Sequence, residues 1–279
     1  MKTFGYFCFQ YLAFRRSKSI SLGLVCAIAL WLVASKAAWA QSSVQRDQQA
    51  LTILTQTIAA GGGQQLLATI QDITETGTIT YNFANPVTGN VTVESRGLHE
   101  FRIDADLPNG RRITVVNGEG GSVQEADRRN WPIYRQSAAD LGSFTFPYLP
   151  LLAAMQEPSI SIAYKGLVTR NGASAYDVRL QRVYSKQQDP EGNQGEREAR
   201  DFYIDSNTFL IASVSDTIHF GGPRDKGISH EVIYSNYKAE NGIMVPMTIQ
   251  DNVQNALGFA LTLSQVTVNS GLTDSNFAW

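Results

Sequence analysis

The chain has 279 residues, 43% of them hydrophobic and 17% charged, with 23 lysines and arginines against 25 aspartates and glutamates. That balance, without a dense basic run, argues against nucleic acid as a partner and against simple adsorption to anionic lipid. The length is enough for one large domain with a sizeable core.

The first residues read as a targeting segment. Lys2, Arg15, Arg16 and Lys18 occur before any acid. An apolar run of about fourteen residues, Ile20 to Val33, follows, and then the small-x-small triplet Ala38-Trp39-Ala40. This order of charged segment, short greasy segment and small residues is that of a signal peptide. A spanning helix needs roughly twenty apolar residues. The expectation is therefore export with cleavage after Ala40, giving a periplasmic chain of residues 41–279; Arg15-Arg16 leaves twin-arginine export open beside the general route. Cys8 and Cys26 both lie in the removed segment, and Leu24-Val25 before Cys26 is not the small residue a lipidation site needs. The mature chain then has no cysteine, hence no disulfide, thiol nucleophile or thiolate metal site. It keeps 18 bases against 25 acids, a net charge of −7.

After the leader, Ser43 to Ala60 has the period of a helix, with Val44, Leu51, Leu54 and Ile58 on one face, Ser43 as N-cap and Gly61-Gly62-Gly63 as its end. Gln64 to Ile70 reads as a second short helix. Strands follow. Ile79, Tyr81 and Phe83 alternate with Thr78, Thr80 and Asn82, and Phe101, Ile103 and Ala105 alternate with Arg102, Asp104 and Asp106. Turn signals stand at Asn85-Pro86, Thr88-Gly89-Asn90, Pro108-Asn109-Gly110 and Asn117-Gly118.

The middle changes character. Ser137-Ala138-Ala139-Asp140 has capping-box form and opens a greasy stretch, Leu141 to Met155. Pro147 and Pro150 divide it into two short helical pieces, with Pro150 placed to start the second. Strands resume from Ser159. Ser185 to Ala199 is a polar hairpin loop or insert. Further strands cover 201–205, 210–220, 228–238, 244–251 and 257–268. In the last, the apolar phase moves from Leu261 and Leu263 to Val266 and Val268, which predicts a bulge near Ser264. About ten strands, each with one dry face, a long N-terminal helix and a helical insert make a mainly β chain with α (α+β). The economical architecture is one strongly curved antiparallel sheet with the helices over its concave face, in a single domain without repeats or linkers.

Three C-terminal stretches carry a resemblance. Phe202-Tyr203-Ile204-Asp205-Ser206 through Leu210 looks like an aromatic strand ending in Asp and a short turn. Tyr237 to Pro246, with Asn241-Gly242 inside, is a "Tyr…Asn-Gly…Pro" hairpin. Val266-Thr267-Val268-Asn269-Ser270 with Asp274 and Phe277 forms the ending. In this order they resemble the LolA-like family of periplasmic lipoprotein carriers. The resemblance implies a half-open β-barrel over an apolar cavity and a non-catalytic carrier or chaperone role in envelope biogenesis. The partner it implies is a lipid or an acylated lipoprotein, with no cofactor; the chain is expected to be a monomer. Candidate cavity and lid residues are Ile79, Tyr81, Phe83, Phe101, Phe144, Phe146, Tyr148, Leu149, Leu152 and Met155. Each buried methylene of a bound chain would contribute about 0.8 kcal/mol. The same residues packed without a gap would be an ordinary core.

Other readings stay open. The same fold also serves modules that bind an envelope protein. Trp279 prompts an outer-membrane or secreted β protein, although residues 271–275 lack the alternation of a closing strand. A hydrolase would need clustered acids or histidines. Gly172-Ala173-Ser174-Ala175-Tyr176 lacks the second glycine of a nucleophile elbow. Gly118-Glu119-Gly120-Gly121-Ser122 has no lysine after it and is no phosphate loop. His219 and His230 flank a Gly-rich turn, where a zinc site would need Asp225 or Glu231 as a third ligand. Arg128-Arg129 beside Trp131 suits either a headgroup phosphate or stacking on the aromatic ring.

Overall fold

The computed structural model describes residues 44–82, 85–118, 120–127, 129–133, 144–219 and 226–279. The expected signal peptide, the Ser43 cap, Phe83, Arg128, the Ser137–Asp140 box, Leu141 and Asp225 lie outside the described residues.

Thirteen strands are present among the described residues. The first half contributes β1 (Asp72–Tyr81), β2 (Val87–Arg96), β3 (Glu100–Leu107), β4 (Gly110–Asn117), β5 (Gly121–Gln124) and β6 (Asn130–Ile133). The second half contributes β7 (Ile160–Arg170), β8 (Ala173–Arg182), β9 (Arg200–Asp205), β10 (Ile211–Ile218), β11 (Ile228–Glu240), β12 (Ile243–Val253) and β13 (Ala256–Val268). They form one sheet in the order β6-β5-β4-β3-β2-β1-β13-β12-β11-β10-β9-β8-β7, and every ladder is antiparallel. Two meanders thus meet where the first strand pairs with the last. Their free edges, β6 and β7, do not pair, so the sheet is an open barrel. The count exceeds the ten strands read from sequence, chiefly because the short β5 and β6 carry too little alternation to be recognised.

Among the described residues four α-helices accompany the sheet: α1 (Gln48–Ala60), α2 (Gln64–Leu67), α3 (Tyr148–Gln156) and α4 (Gln194–Arg197). Helix α1 starts later than its periodicity suggests. Asp47, not Ser43, is the N-cap, its Oδ1 accepting from the Ala50 amide at 2.9 Å. Its buried face is Ala50, Ile53, Leu54, Thr57 and Ile58, so Leu51 sits at the margin of the apolar stripe and Val44 lies before the helix. Among the described residues of the greasy middle there is one helix, and it is not broken at Pro150. Pro147 is the N-cap and Pro150 falls in the first turn, where a missing amide hydrogen breaks no bond. The polar stretch 185–199 is a loop holding only the four-residue α4.

The core lies on one face of the sheet. Ile73, Ile79 and Tyr81 of β1, Val91 and Val93 of β2, Phe101 and Ile103 of β3, and Leu261 and Leu263 of β13 all belong to one buried cluster. It also takes in the inner faces of α1 and α3. The bulge stands where the phase shift put it: Ser264 is skipped between the pairs Thr76–Gln265 and Gly77–Leu263, and its hydroxyl donates to the Thr76 carbonyl at 3.1 Å.

The three motifs have identifiable work. Asp205 Oδ1 accepts from the amides of Asn207 and Thr208 at 3.0 and 2.8 Å, closing the turn after β9. Asn241 and Gly242 have φ of 51° and 83°, the left-handed pair that a two-residue hairpin needs. Asn269 Oδ1 accepts from the Gln71 amide at 2.7 Å, while Phe277 is buried against the Arg96 guanidinium.

Both edges are managed. Beside β7, Asp47 N–H donates to the Ile162 carbonyl and Ile162 N–H to the Gln45 carbonyl, at 2.9 and 2.8 Å. Edge strand β6 carries Pro132, which offers no amide to a passing strand.

Candidate functional site

The connection from β6 on one edge to β7 on the other is described only from residue 144, and that part lies over the inward face of the sheet. The described part of this crossing is a buried strap, Phe144 to Pro147, followed by α3. Three contacts hold it down. The Tyr234 hydroxyl donates to the Phe144 carbonyl at 2.7 Å. Phe144 packs edge-on against Phe101 and Phe259, with ring centroids 4.9 and 5.9 Å away. At the far end of α3, Arg46 Nη2 donates to the Met155 carbonyl at 2.5 Å, a cation at the negative end of a helix.

The candidate cavity residues are brought together. Ile79, Tyr81, Phe101, Phe144, Phe146, Tyr148 and Leu152 are buried in the one apolar cluster, and Leu149 and Met155 pack against it. Phe146, Tyr148, Ile79 and Phe101 are at most 1% exposed, so in this conformation the lid side chains themselves fill the space over the sheet. Open volume lies beside them: a cleft of about 390 Å³ between α1 and α3, lined by Thr55, Ile58, Ala59, Leu152 and Met155 among others. That volume is within the roughly 300–1,000 Å³ of small-molecule sites. A smaller pocket of about 30 Å³ lies under Phe144, Pro147 and Pro150 against Phe202, Val214 and Tyr234.

Charged groups meet the apolar face at this small pocket. His230 bridges two carboxylates, Nδ1 to Asp216 at 2.7 Å and Nε2 to Asp251 at 2.9 Å, and Arg200 lies 3.7 Å from Asp216. Burial alone would lower the imidazole; the two carboxylates outweigh it and push it up to about 10. Both ring nitrogens are therefore occupied and the ring is held as imidazolium, so it cannot take a proton from a nucleophile. Asp216, not His219, stands opposite His230 in the β10–β11 ladder. Among the described residues no group of three His, Cys, Asp or Glu is arranged to hold a metal ion. A second charged pair on this face is Arg112 with Glu125, 3.2 Å apart, the guanidinium lying 4.6 Å from the centre of the Tyr81 ring.

One inward residue departs from the apolar pattern and was not singled out by its sequence. Glu75 is wholly buried between Val93 and Val266 of the flanking strands. Burial raises its carboxyl to about 7, and proximity to the Thr145 hydroxyl offsets part of the shift; that approach falls short of hydrogen-bond geometry, so both oxygens and the hydroxyl are left without a partner. The signal was its parity, since Ile73, Glu75, Ile79 and Tyr81 share one face of a strand that reaches further back than Thr78. Away from the apolar face, Arg129 stacks over the half-exposed Trp131 at 5.8 Å and pairs with Asp127 at 2.6 Å.

No helix among the described residues is long and apolar enough to cross a membrane. No family model matches the sequence, and no curated protein does. Solved structures do. A domain named for outer-membrane lipoprotein sorting, from Vibrio parahaemolyticus, has TM-score 0.49 at 12% identity over 82% of this chain and 96% of its own. A DUF1329 family protein from Desulfovibrio piger has TM-score 0.49 at 10% identity over 82% and 97%. A LolA superfamily protein from Nitrosomonas europaea has TM-score 0.47 at 11% identity over 82% and 97%. Identities this low, at TM-scores below 0.5, transfer no family, no residue and no role.

Proposed function

We propose that this chain binds hydrocarbon chains, of free lipid or of an acylated lipoprotein, between the concave face of its sheet and the helical cover, and that it does so outside the cytoplasm as a carrier rather than as an enzyme. The observation that carries the reading is the cover itself. A wall of apolar side chains drawn from both meanders, interrupted at Glu75, is closed by a four-residue strap and two helices, α1 and α3, with a cleft of about 390 Å³ between them. A wall of this kind gains nothing from polar substrates. Each ligand methylene moved from water onto this wall contributes about 0.8 kcal/mol, offset by the apolar lid surface that it displaces into water.

Native mass spectrometry of the protein purified without detergent from a bacterial periplasm tests this. The expected spectrum contains an added mass of phospholipid or acyl-peptide size that organic extraction removes. A spectrum with only the protein's own mass, unchanged by incubation with lipid, contradicts the reading and favours a module that binds an envelope protein.

A further inference from the structure

Glu75 lies on the wall that the proposed ligand would occupy. Its side chain shares the inward face of β1 with Ile73, Ile79 and Tyr81, and its cross-strand partners are the buried Val93 and Val266. Residue and carboxylate are fully buried, and both oxygens lack a hydrogen-bond partner. Beside it is Thr145, in the middle of the strap, also 0% exposed and with its hydroxyl oxygen unpartnered. Folded proteins satisfy all but a few of their buried polar groups, and each exception costs stability. Two exceptions adjoin here, one on the sheet and one on the segment that a ligand has to displace. A leucine at position 75 would serve a purely structural wall better, because it would leave nothing unsatisfied.

We infer that Glu75, together with Thr145, is the polar anchor of a ligand site on the concave face, and that the amphiphile bound there presents a hydrogen-bond donor, a hydroxyl, amide N–H or ammonium group, to the Glu75 carboxyl. This rests on the lipid-binding reading and narrows it. An ionised carboxylate only accepts hydrogen bonds, and a protonated one keeps an accepting oxygen, so a donor on the ligand satisfies Glu75 in either state. Thr145 both donates and accepts, and serves the oxygen that accompanies such a donor. A carboxylate or phosphate aimed at the same place is repelled when Glu75 is ionised, so the site discriminates between amphiphiles by the head they bring rather than by tail length.

The test compares three ligands of equal chain length, hexadecanol, hexadecylamine and methyl hexadecanoate, as competitors of a fluorescent naphthylamine probe on the purified protein at neutral pH. The ester has no donor. The wild type is expected to bind the alcohol or the amine about tenfold more tightly than the ester. Glu75→Leu, which removes an unsatisfied group and so keeps the fold, is expected to bind the ester undiminished and to lose the preference. Glu75→Gln keeps an acceptor but no charge, so it retains preference for the alcohol and loses it for the amine; the two donor sources are thereby told apart. Equal binding of all three ligands to the wild type, or the same preference in Glu75→Leu, overturns the anchor while leaving the lipid reading in place. Failure of all three to displace the probe or to bind overturns both.

Discussion

The Tyr234 hydroxyl, on the sheet, donates a 2.7 Å hydrogen bond to the carbonyl of Phe144, on the strap. It is the described polar bond that fastens the strap to the wall beneath it, and both residues are buried. Tyr234→Phe leaves that carbonyl without its donor in an apolar setting, at about 1–3 kcal/mol. The expected result is a destabilisation of this size together with faster amide exchange over residues 144–156. Exchange unchanged in that segment would show that aromatic packing alone holds the strap.

Gly61 and Tyr148 set how closely α1 approaches α3. A Cβ on Gly61 would stand 2.5 Å from the Tyr148 ring, which is fully buried and has no room to retreat. Gly61 has helical φ of −70°, so alanine is free of backbone strain there and the cost is steric alone. Gly61→Ala is expected to lose about 1–3 kcal/mol in chemical denaturation. Trimming the ring in a Gly61→Ala, Tyr148→Leu double variant should then cost less than the two single changes added together. Strict additivity would refute the clash.

His230 makes stability depend on alkaline pH. Its folded value, about 10, lies above its ordinary 6.5, so the folded protein holds the proton more tightly than the unfolded chain does. The contribution is complete below about 6.5 and is lost as pH rises through about 10. Unfolding free energy should therefore fall across that interval in the wild type. His230→Gln removes the cation from between Asp216 and Asp251, at about 3 kcal/mol or more near neutrality, and flattens the alkaline slope. A wild type with level stability from pH 7 to 10 would contradict the network as described.

Glu75 shifts stability with pH in the same direction for the opposite reason. Its carboxyl is raised from 4.5 to about 7, so the folded state again binds the proton more tightly, and here the charged form is the costly one. Stability is highest below about 4.5, declines towards pH 7 and stays reduced above it. The interval corresponds to roughly 3 kcal/mol. Glu75→Leu should therefore gain about that much at pH 8 and little at pH 4.5 relative to wild type, measured by denaturation at the two pH values without ligand. An equal gain at both would mean that the carboxyl does not titrate in this window.

What could be read before the fold was known follows from which forces are local. The hairpin at Asn241-Gly242 and the Ser264 bulge are written in a few adjacent residues, through positive φ and a phase shift, and both stand in the structure. The start of α1 was misplaced because Ser43 and Asp47 are both good caps and only tertiary pairing of residues 45–47 with Ile162 decides between them. β5 and β6, four residues each, owe their existence to the ladder with β4 rather than to their own composition. The Asp216–His230–Asp251 bridge joins three strands whose register no local pattern encodes. Glu75 was legible in principle: a carboxylate in the apolar phase of an alternating strand marks an exception, but only once the strand is traced back to Asp72.

The central claim is that acyl chains lie against the inward wall, under the strap and between α1 and α3. Crosslinking with a long-chain alcohol that carries a photoreactive diazirine near the end of its tail, followed by peptide mapping, tests it most directly. The account predicts label on the strap and α3, at Phe144 to Met155, and on the facing wall or α1, at residues such as Ile58, Ile79 and Phe101, with competition by unlabelled lipid. Label confined to outward-facing positions, or spread over the surface without competition, would contradict it.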